Sequence, residues 1–547
     1  MENLFDFFEG ISDADEGLGL WAARPPRRPR AHFDIKLVPR TPNWREDPQA
    51  LDALERIREQ SFIHTLTPAS GGVQLRLEDD WIATVGAALE AGGDAQATFA
   101  DLTDGKRFSI QFWDANATKA LHVGHLRNLA IGNAISAALT QAGARVERRS
   151  LISDAGRSMG EAMAGIIRGA RSEDEKSDHY VGNCYSSYVA STGVSADEDT
   201  DGPEFSHTRE VRVVGDTADE LVKQVMQGDE EALELWFKTR AWVIAGQRKT
   251  LSRLGIYFDK VFFESDFLAQ ADNLMESGLE EGWLVRREDG VVVYPTGLED
   301  LQEMPLVRPD GQTTQYMRSL AYCVSAPELE DKHSMQVCGA EWVSHAASIR
   351  KLVHQWKPTA SGFHPSHSIF HGMVGNQKRA ISSSEGGLLI DDLIDWLERQ
   401  IQSDRRAAAV CASHPHPEGV AAQVALGYFL PYPVAPRVDF ELERLLRESE
   451  SFGWEIAATR ARPGSLSTSS GYRPVEDPDY RFAVVQSEIY RRHLRLAVER
   501  YDVTALALYL RHLARWYTER DRNGHIERVV HTLLDRGARG LGLEGGR

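Results

Sequence analysis

The chain has little of what marks secreted or membrane proteins. Its 547 residues hold four cysteines, Cys184, Cys323, Cys338 and Cys411, with no Cys-x-x-Cys spacing. That argues against a structural zinc site and a disulfide scaffold, and suits a reducing cytoplasm. His414 and His416 beside Cys411 read as a turn-rich loop rather than ligands, so no resident metal is expected. No apolar run approaches the ~20 residues of a membrane span, and the N-terminus lacks a basic-then-apolar leader. No internal repeat is visible. An excess of base is missing too: 62 Lys and Arg against 81 Asp and Glu give a formal net charge of −19. A nucleic-acid binder should present a basic surface, so the whole-chain balance weakens that reading. A partner meets the local balance, however. From Arg491 to Arg547 there are 12 Lys/Arg against 7 Asp/Glu, which keeps a polyanion surface at that end in view.

What is present is ordinary soluble composition, 42% hydrophobic and 26% charged, in a chain long enough for several domains. Residues 1–20 carry six acids and no base, and Arg24-Pro-Pro-Arg-Arg-Pro-Arg30 is basic and proline-rich, so 1–35 are expected to be a mobile arm. A helix at Gln49–Gln60, the run Gly72–Leu77 and the stretch Trp81–Leu89 make 36–106 a small α+β module. Residues 107–395 alternate strands and helices, the pattern of a doubly wound parallel sheet in an α/β domain. An insertion at about 173–249 interrupts them, with an acidic, solvated tip at Ser195–Gly202. From 396 to 547 helices dominate.

One stretch organises the rest: Asn116-Ala-Thr-Lys119-Ala-Leu-His122-Val-Gly124-His125-Leu-Arg127. Phe108–Trp113 before it alternates as a strand. Leu126, Leu129, Ala130, Ile131, Ile135, Ala138 and Leu139 after it recur at helical spacing until Gly143. His122 and His125 therefore stand at a helix start, where unpaired N–H groups and the helix dipole favour an anion, and Gly124 lets a ligand close on the backbone.

This stretch resembles the HIGH motif of class I aminoacyl-tRNA synthetases in the form found in arginyl-tRNA synthetases. The resemblance continues through Gly132-Asn-Ala, Asp154-Ala-Gly156 and Phe258-Asp259…Glu264-Ser265. It extends to a C-terminal part similar to the helical anticodon-binding bundle of that family and a shortened module similar to its N-terminal domain. It implies a Rossmann-like catalytic domain that uses ATP with Mg2+ to activate an amino acid as aminoacyl-AMP. His122, His125 and Lys119 would act on the phosphates. Gly339-Ala-Glu341 and His345 match where the family holds the adenosine. The family's Lys-Met-Ser-Lys-Ser loop falls at Lys378-Arg379-Ala380-Ile381-Ser382-Ser383-Ser384. There Ala380 and Ser383 replace both lysines, leaving Lys378, Arg379, Ser382 and Ser384 as candidate phosphate ligands.

The amino-acid pocket implied by the resemblance comprises Asn116, Asp154, Glu264, Gln315 and Ser319. Here the pattern breaks. The family reads a guanidinium with a Tyr and an Asp four residues apart, and this chain has Gln315 and Ser319 instead. Serine cannot replace a charge-assisted partner worth ~1.5–3 kcal/mol. The resemblance therefore implies a ligase whose amino acid is not unmodified arginine, basic side chains being favoured by the retained Glu264, with tRNA or a small amine as acceptor and no membrane partner. Two alternatives stand beside it: a working arginine–tRNA ligase with an unusual pocket, and a non-catalytic synthetase-like protein that binds tRNA or another partner.

Overall fold

The computed structural model describes residues 21–24, 26, 28–41, 43–92, 99, 102–169, 175–192, 216–325, 333–357, 367–376, 379–380, 388–462, 472–520 and 523–544. The acidic tip Ser195–Gly202 and the expected phosphate ligands Lys378, Ser382 and Ser384 lie outside them.

The N-terminal module is a four-stranded antiparallel sheet of order β1-β2-β4-β3, with β1 Trp21–Arg24, β2 Ile35–Pro39, β3 Ile63–Ala69 and β4 Gly72–Leu77. Helix α1 (Pro48–Arg58) starts at an Asp47 cap and α2 (Asp79–Glu90) follows β4. Strand β1 lies inside the stretch expected to be a mobile arm, which corrects that expectation for Trp21–Arg24. The cause is Trp21: its indole is buried, donates to the Ala50 carbonyl at 3.3 Å and meets Trp44 edge-on. Burying so large a ring outweighs the cost of ordering a short strand.

The central sheet is parallel throughout, in the order β12-β11-β5-β6-β7. Its strands are β5 Arg107–Trp113, β6 Arg145–Ile152, β7 Lys260–Phe263, β11 Ser334–Gly339 and β12 His367–His371. Helix α3 (Val123–Gln141) crosses from β5 to β6. Gly132 lets it approach closely, since a Cβ there would stand 2.2 Å from Phe112 Cγ. The strand order reverses between β5 and β11, and in doubly wound sheets ligands bind beyond the carboxyl ends at such a point.

Four helices form the insertion layer: α4 (Arg157–Arg168), α5 (Ser177–Ser191), α6 (Thr217–Gln227) and α7 (Glu230–Arg253). Buried Arg157 of α4 ties that helix to the start of α6 through Asp216 at 2.6 Å and Asp219 at 3.0 Å, and also bonds Glu161 at 3.0 Å. After β7 come α8 (Leu268–Glu280), a small antiparallel sheet of β8 Val285–Arg286, β9 Val292–Pro295 and β10 Glu303–Val307, then α9 (Gln315–Ser325) and α10 (Val343–Trp356). These share a second core of residues such as Met304, Tyr316, Leu320 and Leu352.

A three-stranded patch of β13 (Val374–Asn376), β14 (Arg379–Ala380) and β15 (Val438–Asp439) borders the C-terminal helices. Among those helices are α11 (Ile390–Ser403), α12 (Arg405–Ser413), α13 (Val420–Gly427), α14 (Phe452–Arg460), α15 (Pro478–Arg500), α16 (Thr504–Thr518) and α17 (Gly524–Gly540). Buried Arg481 of α15 pairs with Asp34 at 2.7 Å, tying the bundle to the N-terminal module. All four cysteines are free. No described helix is long and apolar enough to cross a membrane.

Candidate active site

His122 caps α3, and the two histidines lock each other's geometry. The Gly124 N–H donates to His122 Nδ1 at 3.1 Å, and the His122 N–H donates to His125 Nδ1 at 3.2 Å. Their rings lie 3.9 Å apart. A ring nitrogen that accepts carries no proton, so each neutral imidazole keeps its hydrogen on Nε2. Burial, then the neighbouring His125 and Lys119, holds His122 well below the usual histidine range. Burial and Lys119 bring His125 down to about 3. Both rings are therefore neutral N–H donors at pH 7, fixed in tautomer by backbone amides.

The turn is braced on both sides. Gln247 of α7 donates to the carbonyls of Asn116 at 3.1 Å and Lys119 at 2.8 Å. Asn116 itself bridges to Ser153 at the end of β6. On the other side the Val123 N–H donates to Leu388 O at 2.9 Å, and the Ile390 N–H donates to Leu121 O at 3.0 Å. Residues 388–390, which follow the glycine- and serine-rich stretch in sequence, thus pack on the histidine turn. The near end of that stretch is β13, and Arg379 enters β14 opposite Asn376. Buried Arg127 adds a further clamp, donating to the carbonyls of Gly372, Pro433, Val434 and Pro436 at 2.6–3.0 Å.

At the end of β11 the Glu341 carboxylate folds over Gly339, 2.0 Å from where a Cβ would stand, and Glu341 is exposed. His345 is buried instead, its ring stacked on Tyr316 at 4.3 Å, which leaves little of it open to a ligand.

The two acids expected in the amino-acid pocket are closed by arginines of the chain itself. Glu264, 1% exposed, accepts from Arg318 Nε at 2.6 Å and Ser153 Oγ at 2.9 Å. Burial raises its carboxyl to about 7 against the pull of Arg318. Asp154, wholly buried, accepts from Arg240 at 3.0 Å and from the Ser265 N–H and hydroxyl at 2.9 and 2.7 Å. The expectation that Glu264 faces a basic substrate is thus corrected: its charge is met inside the protein, and a substrate cannot reach it without unseating Arg318. Gln315 and Ser319 remain partly exposed, four residues apart on one face of α9.

Sequence reasoning missed Arg318, Arg240 and Asp114. The first two lie 54 and 86 residues from their partners, beyond any local signal. Asp114, two residues before Asn116, offered a hint as an acid directly ahead of the motif. Among the described residues one cluster has the ligand types for a metal, Asp178, His179 and Asp391. Lys176 Nζ already bonds Asp178 at 3.0 Å and Asp391 at 2.7 Å, so an ammonium meets the charge a cation would meet. The residues do not fit a resident Mg2+.

The arginine–tRNA ligase of Treponema denticola is 26% identical over 444 residues, covering 76% of this chain and 72% of that one. That of Amoebophilus asiaticus is 27% identical over 431 residues, covering 74% and 69%. Among solved structures, Thermus thermophilus arginyl-tRNA synthetase superposes with a TM-score of 0.70 at 20% identity, covering 100% of this chain and 99% of its own. The Plasmodium falciparum enzyme superposes at 0.64 and 14%, covering 99% and 97%. These two share the fold. The family model described as tRNA synthetases class I (R), catalytic domain, matches residues 87–428, and a match over more than half of the chain places it in the class I arginyl-tRNA synthetase family.

Proposed function

We propose that the protein is an ATP-dependent ligase that activates an amino acid other than unmodified arginine and passes it to an acceptor, either tRNA or a small amine. An oxygen of the amino-acid carboxylate attacks the α-phosphorus of ATP. The bond to the bridging oxygen breaks, and pyrophosphate leaves with the electron pair. Charge on the phosphate oxygens in flight is met by fixed N–H donors and cations. His122 and His125 supply Nε2–H donors and Lys119 a full positive charge. Gly124 allows close approach, and Glu341 accepts from the ribose hydroxyls. Lys378, Arg379, Ser382 and Ser384 serve the leaving phosphates. Mg2+ arrives on the phosphates of ATP as part of the substrate and screens their charge.

One observation carries the choice of amino acid: where the family reads a guanidinium stand Gln315 and Ser319, and the retained acid Glu264 is closed on Arg318. Residues 396–547 are the surface we assign to the acceptor. The reaction is a cytoplasmic one in this reading, which ATP use and free thiols support. A second reading, arginine–tRNA ligation through a rearranged pocket, is favoured by the full-length likeness in fold to synthetases of that name. A non-catalytic role is opposed by the intact histidine turn. The test is amino-acid-dependent pyrophosphate exchange across a panel of amino acids, with and without total tRNA. Exchange with arginine alone supports the second reading, and no exchange with any amino acid removes both.

A further inference from the structure

We infer that the pocket between the sheet and helices α9 and α10 takes an uncharged amino-acid side chain, with Asp114 at its rim holding the substrate's ammonium. This rests on the activation reading above and names its substrate class.

The pocket is partly open to solvent and encloses a cavity of about 60 Å³. Its floor is unusual for a parallel sheet. Gln336 of β11 pairs with Gln111 of β5, which pairs with Arg149 of β6. Three polar side chains thus share one sheet face where Val, Ile and Leu are the rule. Polar groups in such a place cost free energy unless they are satisfied. Here two of them hold a carboxylate: Gln111 donates to Asp114 at 2.9 and 3.0 Å, and Gln336 donates at 3.0 Å. The Leu151 N–H adds a longer bond at 3.4 Å. All three donor residues line the pocket.

These donors are neutral. Asp154 and Glu264 are closed by Arg240 and Arg318, but no such cation sits on Asp114 among the described residues. Burial accordingly raises its carboxyl, and its charge is felt at the pocket-lining thiol of Cys323. A desolvated carboxylate without a counter-ion is poised for a cation, and every α-amino acid brings one ammonium.

The charge count then sets the side chain. One acid meets one ammonium. A second cation, guanidinium or ammonium, would be desolvated with no partner left, and an acidic side chain would face Asp114 itself. The walls give the complementary signal: Leu151, Met335, Trp342, Ala346 and Ile349 are apolar, and Ser319 is small and neutral.

The test uses the full chain in pyrophosphate exchange with the twenty common amino acids, followed by Asp114→Asn with the best of them. The expected result is an uncharged best substrate, with arginine, lysine, aspartate and glutamate at least 100-fold lower in kcat/KM. Asp114→Asn should raise KM for the amino acid at least tenfold and leave KM for ATP within twofold. If Asp114→Asn does not fold, calorimetry on the wild type decides. The amino alcohol, which keeps the ammonium, should bind, and the desamino acid should bind at least tenfold more weakly. Ala346→Phe should lower kcat/KM for the larger side chains selectively. Arginine or lysine as best substrate overturns the inference while leaving activation standing, and so does an unchanged amino-acid KM in Asp114→Asn. Absence of exchange with every amino acid removes the activation reading beneath it.

Discussion

Restoring the family's guanidinium readers, Gln315→Tyr with Ser319→Asp, should improve arginine as a substrate. Both positions are partly exposed on one face of α9, and Ser319 lines the pocket. An aspartate at 319 would bring a second carboxylate to a pocket whose unmatched acid is Asp114, and so provide the partner a side-chain cation lacks. A hydrogen bond to a charged group contributes about 1.5–3 kcal/mol, or roughly 10- to 150-fold in kcat/KM at 1.4 kcal/mol per factor of ten. The tyrosine adds a ring against which a planar guanidinium can stack. The assay is kcat/KM for arginine in pyrophosphate exchange, double variant against wild type, with ATP KM as the control for an intact nucleotide site. If the wild type already activates arginine efficiently and the double variant gains nothing, guanidinium recognition is built elsewhere and the reasoning fails.

Replacing His125 with Ala removes a transition-state donor and should lower exchange by about 100-fold or more; near-wild-type exchange would take His125 out of the catalytic turn. Lys119→Ala should be more damaging than Lys378→Ala, because Lys119 is fixed on the braced turn and both lysines of the family's loop are replaced; the opposite ranking in kcat would show that the loop carries the charge. Arg318→Met leaves Glu264 buried without its cation and should cost about 3–5 kcal/mol of stability, read by denaturant unfolding. Adding Glu264→Gln to that variant should recover much of the loss, and no recovery would mean that the ion pair is not the cause.

Much of this was legible because the signals are local. The strand at 107–113, the histidine turn and the following helix each announce themselves within a few residues, through alternation, a glycine and a 3.6-residue repeat. Gln315 and Ser319 were paired through the family's pattern alone, and α9 sets them four residues apart on one helix. What stayed hidden depends on contacts between distant segments. Glu264 reads as a free acid until Arg318 is folded beneath it, and Asp154 until Arg240 arrives from α7. The Trp21 strand reads as part of an acidic, proline-broken arm until Trp44 and the Ala50 carbonyl receive the indole. His345 sits four residues from the exposed carboxylate of Glu341 in sequence, yet its ring stacks on Tyr316. In each case the deciding partner lies on another element of the fold.

The most direct test of the account is one incubation of the wild-type protein with ATP, magnesium and an equimolar mixture of the twenty common amino acids, with aminoacyl-adenylates quantified by mass spectrometry. The account predicts one dominant adenylate carrying an uncharged side chain, with arginyl-adenylate a minor species at best. A dominant arginyl-adenylate, or no adenylate from a folded protein, would contradict it.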